Sequence, residues 1–417
     1  MQHVIIGNGP AGVVAAEALR GADPASRITL IGDEVHPPYS RMALPYLMMG
    51  RIDEAGTYLR KTPGHFDRLR IELRTDRVEQ VDPRTSTLRL RQAGPIPYDR
   101  LLIATGSHPI TPPIPGVELP GVHSCWTMDD ARKIMERATK GSRVLQIGAG
   151  FIGCIILEAL AARGVHLTVV EMGDRMVPRM MTPVAGDMIR KWCEAKGVRV
   201  HVGSRVVGIR SAKGKSGPLV ATLDSKDEVR ADLVIVAAGV RSNIGFLDGS
   251  GIACDAGILV DATMQTSVSG VYAAGDVSQA PDLSTGTKTV NAIQPNAVEQ
   301  GRIAALNMAG KPAHSHGGLA LNVLDTLGLI SSSFGKWWGE PSGQSVELVD
   351  AERFRYLSLQ FQEDRLIGAT SIGLTEDIGV LRGLIEGRVR LGPWKEHLLR
   401  DPIRIKEAYL ARAQAAA

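Results

Sequence analysis

Two glycine-spaced turns carry the clearest chemistry in this sequence. Gly7, Gly9 and Gly12 lie in VIIGNGPAG, and Gly148, Gly150 and Gly153 lie in LQIGAGFIG. Each triplet follows an apolar run, opens an alanine- or leucine-rich stretch, and is followed about twenty residues later by an acid. The acids are Asp33 with Glu34 after the first turn and Glu171 after the second. This spacing suits a dinucleotide. The first glycine permits the tight turn, the second lets backbone approach a pyrophosphate, and the third lets strand and helix pack closely. The helix start then aims unpaired N–H groups at the phosphate charge, and the distal carboxylate accepts hydrogen bonds from ribose hydroxyls. A single such turn is weak evidence, because any tight turn uses glycine; two complete copies are strong evidence.

The elements that must position these residues are also legible. Each copy reads as strand, turn, helix, strand. PYDRLLIATGSHP, residues 97–109, reads as a buried strand running into the turn Ala104, Thr105, Gly106, and ADLVIVAAGVRSN, residues 231–243, ends a second such strand at Gly239. GVYAAGD delivers Asp276 just after Gly275; the same Gly-Asp pair also fits a helix N-cap. A helical stretch, PNAVEQGRIAALNMAG, follows. The proline-rich TPPIPG at 111–116 and the polar stretch near Ser242 mark crossings between domains. From about residue 317, short β-like runs (ELV, RYLSLQF, IGATSIG) and two terminal amphipathic helices predict a third domain.

A length of 417 residues predicts two or three cores. The 48 basic and 44 acidic side chains leave a net charge of +4, all of it accounted for by residues 381–417. Such a balance does not make the broad positive field of a nucleic-acid binder. Mean hydropathy is +0.00, and no apolar run approaches the ~18 residues of a membrane span. An apolar strand starts within the first few positions, so no signal peptide is expected and the location expected is cytoplasmic. Cys125, Cys154, Cys193 and Cys254 are far apart, so no redox couple is written locally.

The two glycine turns, ATG and G-V-Y-A-A-G-D, in this order, resemble the two-dinucleotide FAD/NAD(P)H pyridine nucleotide-disulfide oxidoreductase superfamily along nearly the whole chain. The resemblance implies an α/β fold with two Rossmann-like domains and a C-terminal α+β domain. The FAD domain would be discontinuous, 1–112 and 241–316, with an NAD(P)H domain inserted at 113–240 and an interface domain at 317–417. It implies that Gly7, Gly9, Pro10 and Gly12 cradle the FAD pyrophosphate and that Asp33 and Glu34 lie at the adenosine ribose. Arg41, Val78, Ala104, Thr105, Gly106, Gly275 and Asn296 complete that site, with Asp276 at the ribityl hydroxyls. Gly148, Gly150, Phe151, Ile152, Gly153, Glu171 and Gly239 would hold NADH.

PPYSRMALPYLMMG separates the subfamilies. Pro38, Tyr39, Arg41 and Leu44 match ferredoxin reductases, whereas LNVLDTLGLISSSFG is closer to rubredoxin reductases and the flavin part of nitrite reductase. Tyr46 stands where ferredoxin reductases have a lysine near the flavin, and Ile155 where its glutamate partner would be; Glu158, one turn later, is either a displaced substitute or a solvated or capping residue. Met42 occupies the cysteine position of thiol-dependent NADH oxidases and cannot form a thiolate; it fits ordinary core. No catalytic acid, base or nucleophile is evident, and the resemblance implies Tyr46, Ile155 and Met42 as the flavin-adjacent candidates.

The resemblance implies an FAD-dependent NADH oxidoreductase that moves hydride from nicotinamide to flavin and passes electrons to a ferredoxin- or rubredoxin-like iron–sulfur protein or a partner reductase subunit. The rivals are a thiol-independent NADH oxidase or diaphorase and a non-enzymatic NADH-sensing flavoprotein. A homodimer is compatible with either class. Arg388, Arg390, Lys395, Arg400 and Arg404 would steer an acidic partner or simply form a solvated face.

Overall fold

The computed structural model describes residues 1–212, 214 and 217–412, so the last five residues of the expected third domain lie outside it. The described residues divide into two compact units. The first contains residues 1–43, 52–108 and 240–319; the second contains the described residues within 44–51, 109–239 and 320–412.

In the first unit a five-stranded parallel sheet runs in the order Val271–Ala273, Arg100–Ile103, Gln2–Ile6, Arg27–Gly32, Ile71–Thr75. Its inner strands carry continuous apolar runs such as Val4, Ile5 and Ile6, as strands covered on both faces require, whereas the edge strand Ile71–Thr75 is mostly exposed. Helix Pro10–Ala22 packs against helix Gln294–Met308 so closely that a Cβ on Gly301 would lie 2.4 Å from the Ala11 carbonyl oxygen. The small residues of both helices permit this approach.

The second unit repeats the plan, with strand order Arg199–His201, His166–Val170, Arg143–Ile147, Leu233–Val236, Val122–Ser124. In both sheets the glycine turn leaves the carboxyl end of the strand where the order of connection reverses. Ligands of open α/β sheets bind at that point.

The same unit contains an antiparallel sheet in the order Leu321–Thr326, Leu329–Gly335, Arg365–Ile372, Arg355–Gln362, Gln344–Asp350. Three terminal helices follow rather than the two expected: Ile378–Glu386, Trp394–Arg400 and Ile405–Arg412. Pro393 and Pro402 divide them, since proline starts a helix but cannot continue one. Among the described residues no helix is long and apolar enough to cross a membrane.

Candidate functional site

The first turn is built by close backbone approach. Gly7 has φ +106°, donates its N–H to the Ile31 carbonyl at 2.7 Å, and would place a Cβ 2.1 Å from the Ala104 oxygen. A Cβ on Gly12 would lie 1.8 Å from the Gly7 oxygen. Both positions therefore demand glycine. Gly9, by contrast, caps helix Pro10–Ala22 with no side-chain hydrogen bond and nothing within 4 Å of its missing Cβ. The helix start is thus an open cradle of N–H groups, with Pro10 in the first helical turn, where its missing N–H costs nothing.

Around this cradle the acids divide the work. Asp33 follows the second strand with its side chain 55% exposed and Arg77 at 3.9 Å. Glu34 turns to its own chain, accepting from Arg41 Nη2 at 2.9 Å and Tyr39 Oη at 2.7 Å. Burial opposes the Arg41 charge, but Glu34 and Tyr39 outweigh it and raise the Arg41 pKa. Val78 is buried against the strand Thr87–Leu90 and offers a ligand only its backbone.

Thr105 and Gly106 are locked to Asn243, which donates to the Thr105 carbonyl at 2.8 Å and accepts the Thr105 hydroxyl proton on its own carbonyl at 3.1 Å. Gly106 has φ +66° and open space where a Cβ would stand. Gly275, with φ +82°, donates to Gln300 Oε1 at 2.8 Å, and Gln300 also accepts from Ser278 Oγ at 2.9 Å. Asp276 comes next. Its carboxylate accepts from Ser107 Oγ at 3.0 Å, its carbonyl accepts from Ser242 Oγ at 2.9 Å, and burial raises its pKa. No helix begins at Asp276; a strand, Ser278–Pro281, follows, so the N-cap reading is set aside. Asn296 is buried, and its Nδ2 has no hydrogen-bond partner among the described residues. An open glycine cradle, a half-buried carboxylate and an unpaired buried amide fit a dinucleotide with both phosphate and polar ring or sugar groups.

The second turn repeats the geometry. A Cβ on Gly148, φ +102°, would lie 2.4 Å from the Ala237 oxygen, and one on Gly153 would lie 2.5 Å from the Gly148 oxygen. Gly150 caps helix Phe151–Ala162 without a side-chain bond and with open space beside it; Phe151 and Ile152 are half-buried in the first turn. Gly239, φ +106°, accepts from the Ile110 N–H at 2.9 Å. Glu171 is buried, with Oε2 accepting from Ala149 N–H at 2.6 Å and Oε1 from Gly173 N–H at 2.7 Å. The acid at the strand end therefore clamps the glycine turn itself. The Ala149 carbonyl is held by Val177 N–H at 2.8 Å, and Val177 is a β-branched residue at φ +50°, an outlier that marks strain beside the turn. Arg175 is tied to the carbonyls of Met181 and Pro178 and to Asp174.

Of the three flavin-adjacent candidates, two belong to the second unit. Tyr46, 49% exposed, lies on helix Leu44–Met48, which packs against the helix carrying half-buried Ile155. Met42 belongs to the first unit and is 48% exposed, so it is not ordinary core. Glu158 has its pKa raised by burial and by the Asp325 carboxylate, with Arg51 opposing.

Ser107, Asn243, Gln300 and Gln146 were not singled out by the sequence, and Ser242 only as a crossing between domains. Gln146 is buried beneath the second turn, donating to the Gly148 carbonyl at 2.8 Å. Only a polar residue inside an otherwise apolar strand, as in VLQI, was a readable signal.

A family model for pyridine nucleotide-disulphide oxidoreductases matches residues 1–301. The chain is 33% identical over 409 residues to the NADH-dependent phenylglyoxylate dehydrogenase subunit epsilon of Aromatoleum evansii, covering 97% of this chain and 96% of that one. It is 28% identical over 395 residues to the rubredoxin-NAD(+) reductase of Pseudomonas putida, covering 93% and 99%. Among solved structures, the ferredoxin reductase for the CYP199A2 system from Rhodopseudomonas palustris aligns with a TM-score of 0.81 and 28% identity over 89% of this chain and 91% of that one. With two glycine turns of matching geometry and similarity of this extent, the chain belongs to the pyridine nucleotide-disulphide oxidoreductase family.

Proposed function

We propose that this chain is an FAD-dependent NADH oxidoreductase that exchanges electrons with a protein partner, with FAD on the Gly7–Gly12 turn and NADH on the Gly148–Gly153 turn. The observation that carries the reading is the duplicated open helix start, one in each unit, each behind a glycine turn that no other residue could form. FAD, when bound, accepts a hydride as a pair of electrons and can release them singly. The chain's own part is to bind and orient. Gly9 and Gly150 leave room for phosphate at the two helix starts, Asp33 is free to meet a ribose, and Ser107 and Gln300 hold Asp276 and Gly275 in place. Asn296 supplies a buried amide donor that awaits an acceptor.

A one-electron iron–sulfur centre in the partner suits this chemistry. The relatives named for rubredoxin and ferredoxin support a small carrier, and the relative that is a dehydrogenase subunit supports a partner enzyme. Hydride exchange with nicotinamide is reversible, so the partner's potential decides which way electrons run. We further propose the division into FAD segments 1–112 and 241–316, an NADH segment 113–240 and an interface segment 317–417, and a cytoplasmic location.

The test is direct. Purified protein should release FAD on denaturation and be bleached anaerobically by one equivalent of NADH, and affinity capture from its own cells should return an iron–sulfur protein. Release of FMN, or no bleaching by NADH, would overturn the reading.

A further inference from the structure

Arg163, at the end of the second fingerprint helix, directs its guanidinium at three backbone carbonyls. Nε donates to Ala138 at 2.7 Å, Nη2 to Met135 at 2.7 Å and Nη1 to Met48 at 2.8 Å. Met135 and Ala138 lie in the last turn and C-cap of helix Met128–Arg137; Met48 is the last residue of helix Leu44–Met48. Carbonyls at helix C-termini lack intrahelical donors and carry the negative end of the helix dipole. One cation therefore completes two helix ends.

The dependence is greatest for helix Leu44–Met48. Five residues cannot hold a helix in water alone. Leu44, Pro45, Leu47 and Met48 are buried, and Tyr46 is the outward residue, so the seating of this one turn sets where Tyr46 points. The helix packs on both Phe151–Ala162 and Met128–Arg137, and Cys125 Sγ lies 3.7 Å from Met48 Sδ. Its exit is closed by the bonds of Met49, Gly50 and Arg51 N–H to Pro45, Leu47 and Tyr46 carbonyls, each 2.9 Å. Arg163 alone adds a charged donor to its open carbonyl end among the hydrogen bonds described.

We propose that Arg163 is a positioning residue for hydride exchange, acting through helix Leu44–Met48 to fix where Tyr46 points. This rests on the reading that the Gly148–Gly153 turn binds NADH. Lysine cannot replace it, because one ammonium group cannot serve three carbonyls presented to three separate guanidinium nitrogens.

The experiment uses the flavin-loaded protein as wild type, Arg163→Ala, Arg163→Lys, Tyr46→Ala and the double variant Arg163→Ala with Tyr46→Ala. Three quantities are read: flavin reduction rate at saturating NADH, NAD+ dissociation constant, and hydrogen exchange over residues 44–51. Both Arg163 variants should reduce flavin more slowly by about 10-fold or more, as small misplacements near reacting groups do. Their Met49, Gly50 and Arg51 amides should exchange faster, NAD+ affinity should stay within about 2-fold, and the double variant should be no slower than Arg163→Ala. Wild-type rates in Arg163→Lys, additive losses in the double variant, or NAD+ affinity falling in step with the rate would each overturn the proposal. If Arg163→Ala does not fold, Arg163→Lys and its pairing with Tyr46→Ala carry the same comparison. If NADH fails to reduce even the wild type, the NADH reading falls, and unchanged exchange in Arg163→Lys would separately refute the cap.

Discussion

Ser107 Oγ donates to Asp276 Oδ2 at 3.0 Å, which joins the residue after the A-T-G turn to the acid after Gly275. Two segments 169 residues apart thus share one half-buried carboxylate. Burial raises the Asp276 pKa, with the Ser107 bond and the Arg41 charge working the other way. A group with such a balance is costly without a ligand and useful with one.

The pH dependence follows from that direction. Native apoprotein holds a proton on Asp276 more tightly than the unfolded chain does, so its stability falls as pH rises from the ordinary carboxyl range through the higher native value. Asp276→Asn removes this loss. Its apoprotein should be more stable than wild type at neutral pH and equal to it below the ordinary carboxyl range. FAD should bind roughly 10- to 100-fold more weakly, for about 1.5–3 kcal/mol of lost charge-assisted bonding. Urea unfolding of apoprotein across pH, with flavin titration, checks both; an apoprotein no more stable at neutral pH would show that the carboxylate is well solvated.

Glu171 should govern both coenzyme choice and turn integrity, since its two oxygens hold the N–H groups of Ala149 and Gly173. A carboxylate there repels a 2′-phosphate, so NADH should reduce flavin faster than NADPH. Glu171→Gln places an NH2 against one N–H donor and should weaken NAD+ binding at least as much as Glu171→Ala, with each lost bond to the charged group worth about 1.5–3 kcal/mol. Calorimetric NAD+ binding by both variants is the measurement. Wild-type affinity in Glu171→Gln would mean that the clamp is unimportant.

NADH should deliver two electrons per FAD and no more. All four cysteines are free, burial pushes Cys125 and Cys193 up to about 12 and Cys154 well above its ordinary value, and none is a thiolate at neutral pH. An anaerobic titration should end at one equivalent of NADH. A second equivalent would reveal a thiol pair, and Cys154 with Cys193 would be the place to look, since Cys193 helps to raise the Cys154 pKa.

The two turns were legible because part of their physics is local: Gly12 and Gly153 are each forced by the carbonyl of the glycine five residues earlier, Gly7 or Gly148, so the spacing itself is written in the sequence. Asp276 was legible by position but ambiguous by role, since Gly-Asp serves caps as well as ligands; only the following strand decides. Ser107, Ser242 and Gln300 were not legible, because their partners lie 22 to 169 residues away and hydroxyls and amides have no periodic signature. Glu171 was legible by its place at the strand end, whereas the bonds of its oxygens to the turn's own N–H groups are visible only in the fold. The helical tail was misjudged at Pro393 and Pro402, where amphipathic pattern continues while the backbone cannot.

Tyr46 and Ile155, where relatives carry a charged pair, give the last prediction. Their helices pack together in one unit, yet Tyr46 is 49% exposed and Ile155 is half-buried. A lone carboxylate at Ile155→Glu therefore keeps some hydration and should cost less than the ~3–5 kcal/mol of a fully buried unpaired charge. Tyr46→Lys alone should be nearly neutral for stability, because a lysine at an exposed site on this turn keeps its head in water. Together the substitutions should recover part of the Ile155→Glu loss, by about 0.5–3 kcal/mol of coupling if the side chains meet. The cycle is read by thermal unfolding of the flavin-loaded protein and by flavin reduction rate at saturating NADH. Coupling should grow when NAD+ is added, since a nucleotide on the Gly150 turn covers the helix start and dries the pair. Additivity in both readouts, with and without NAD+, would place Tyr46 away from the position that lysine holds in the relatives.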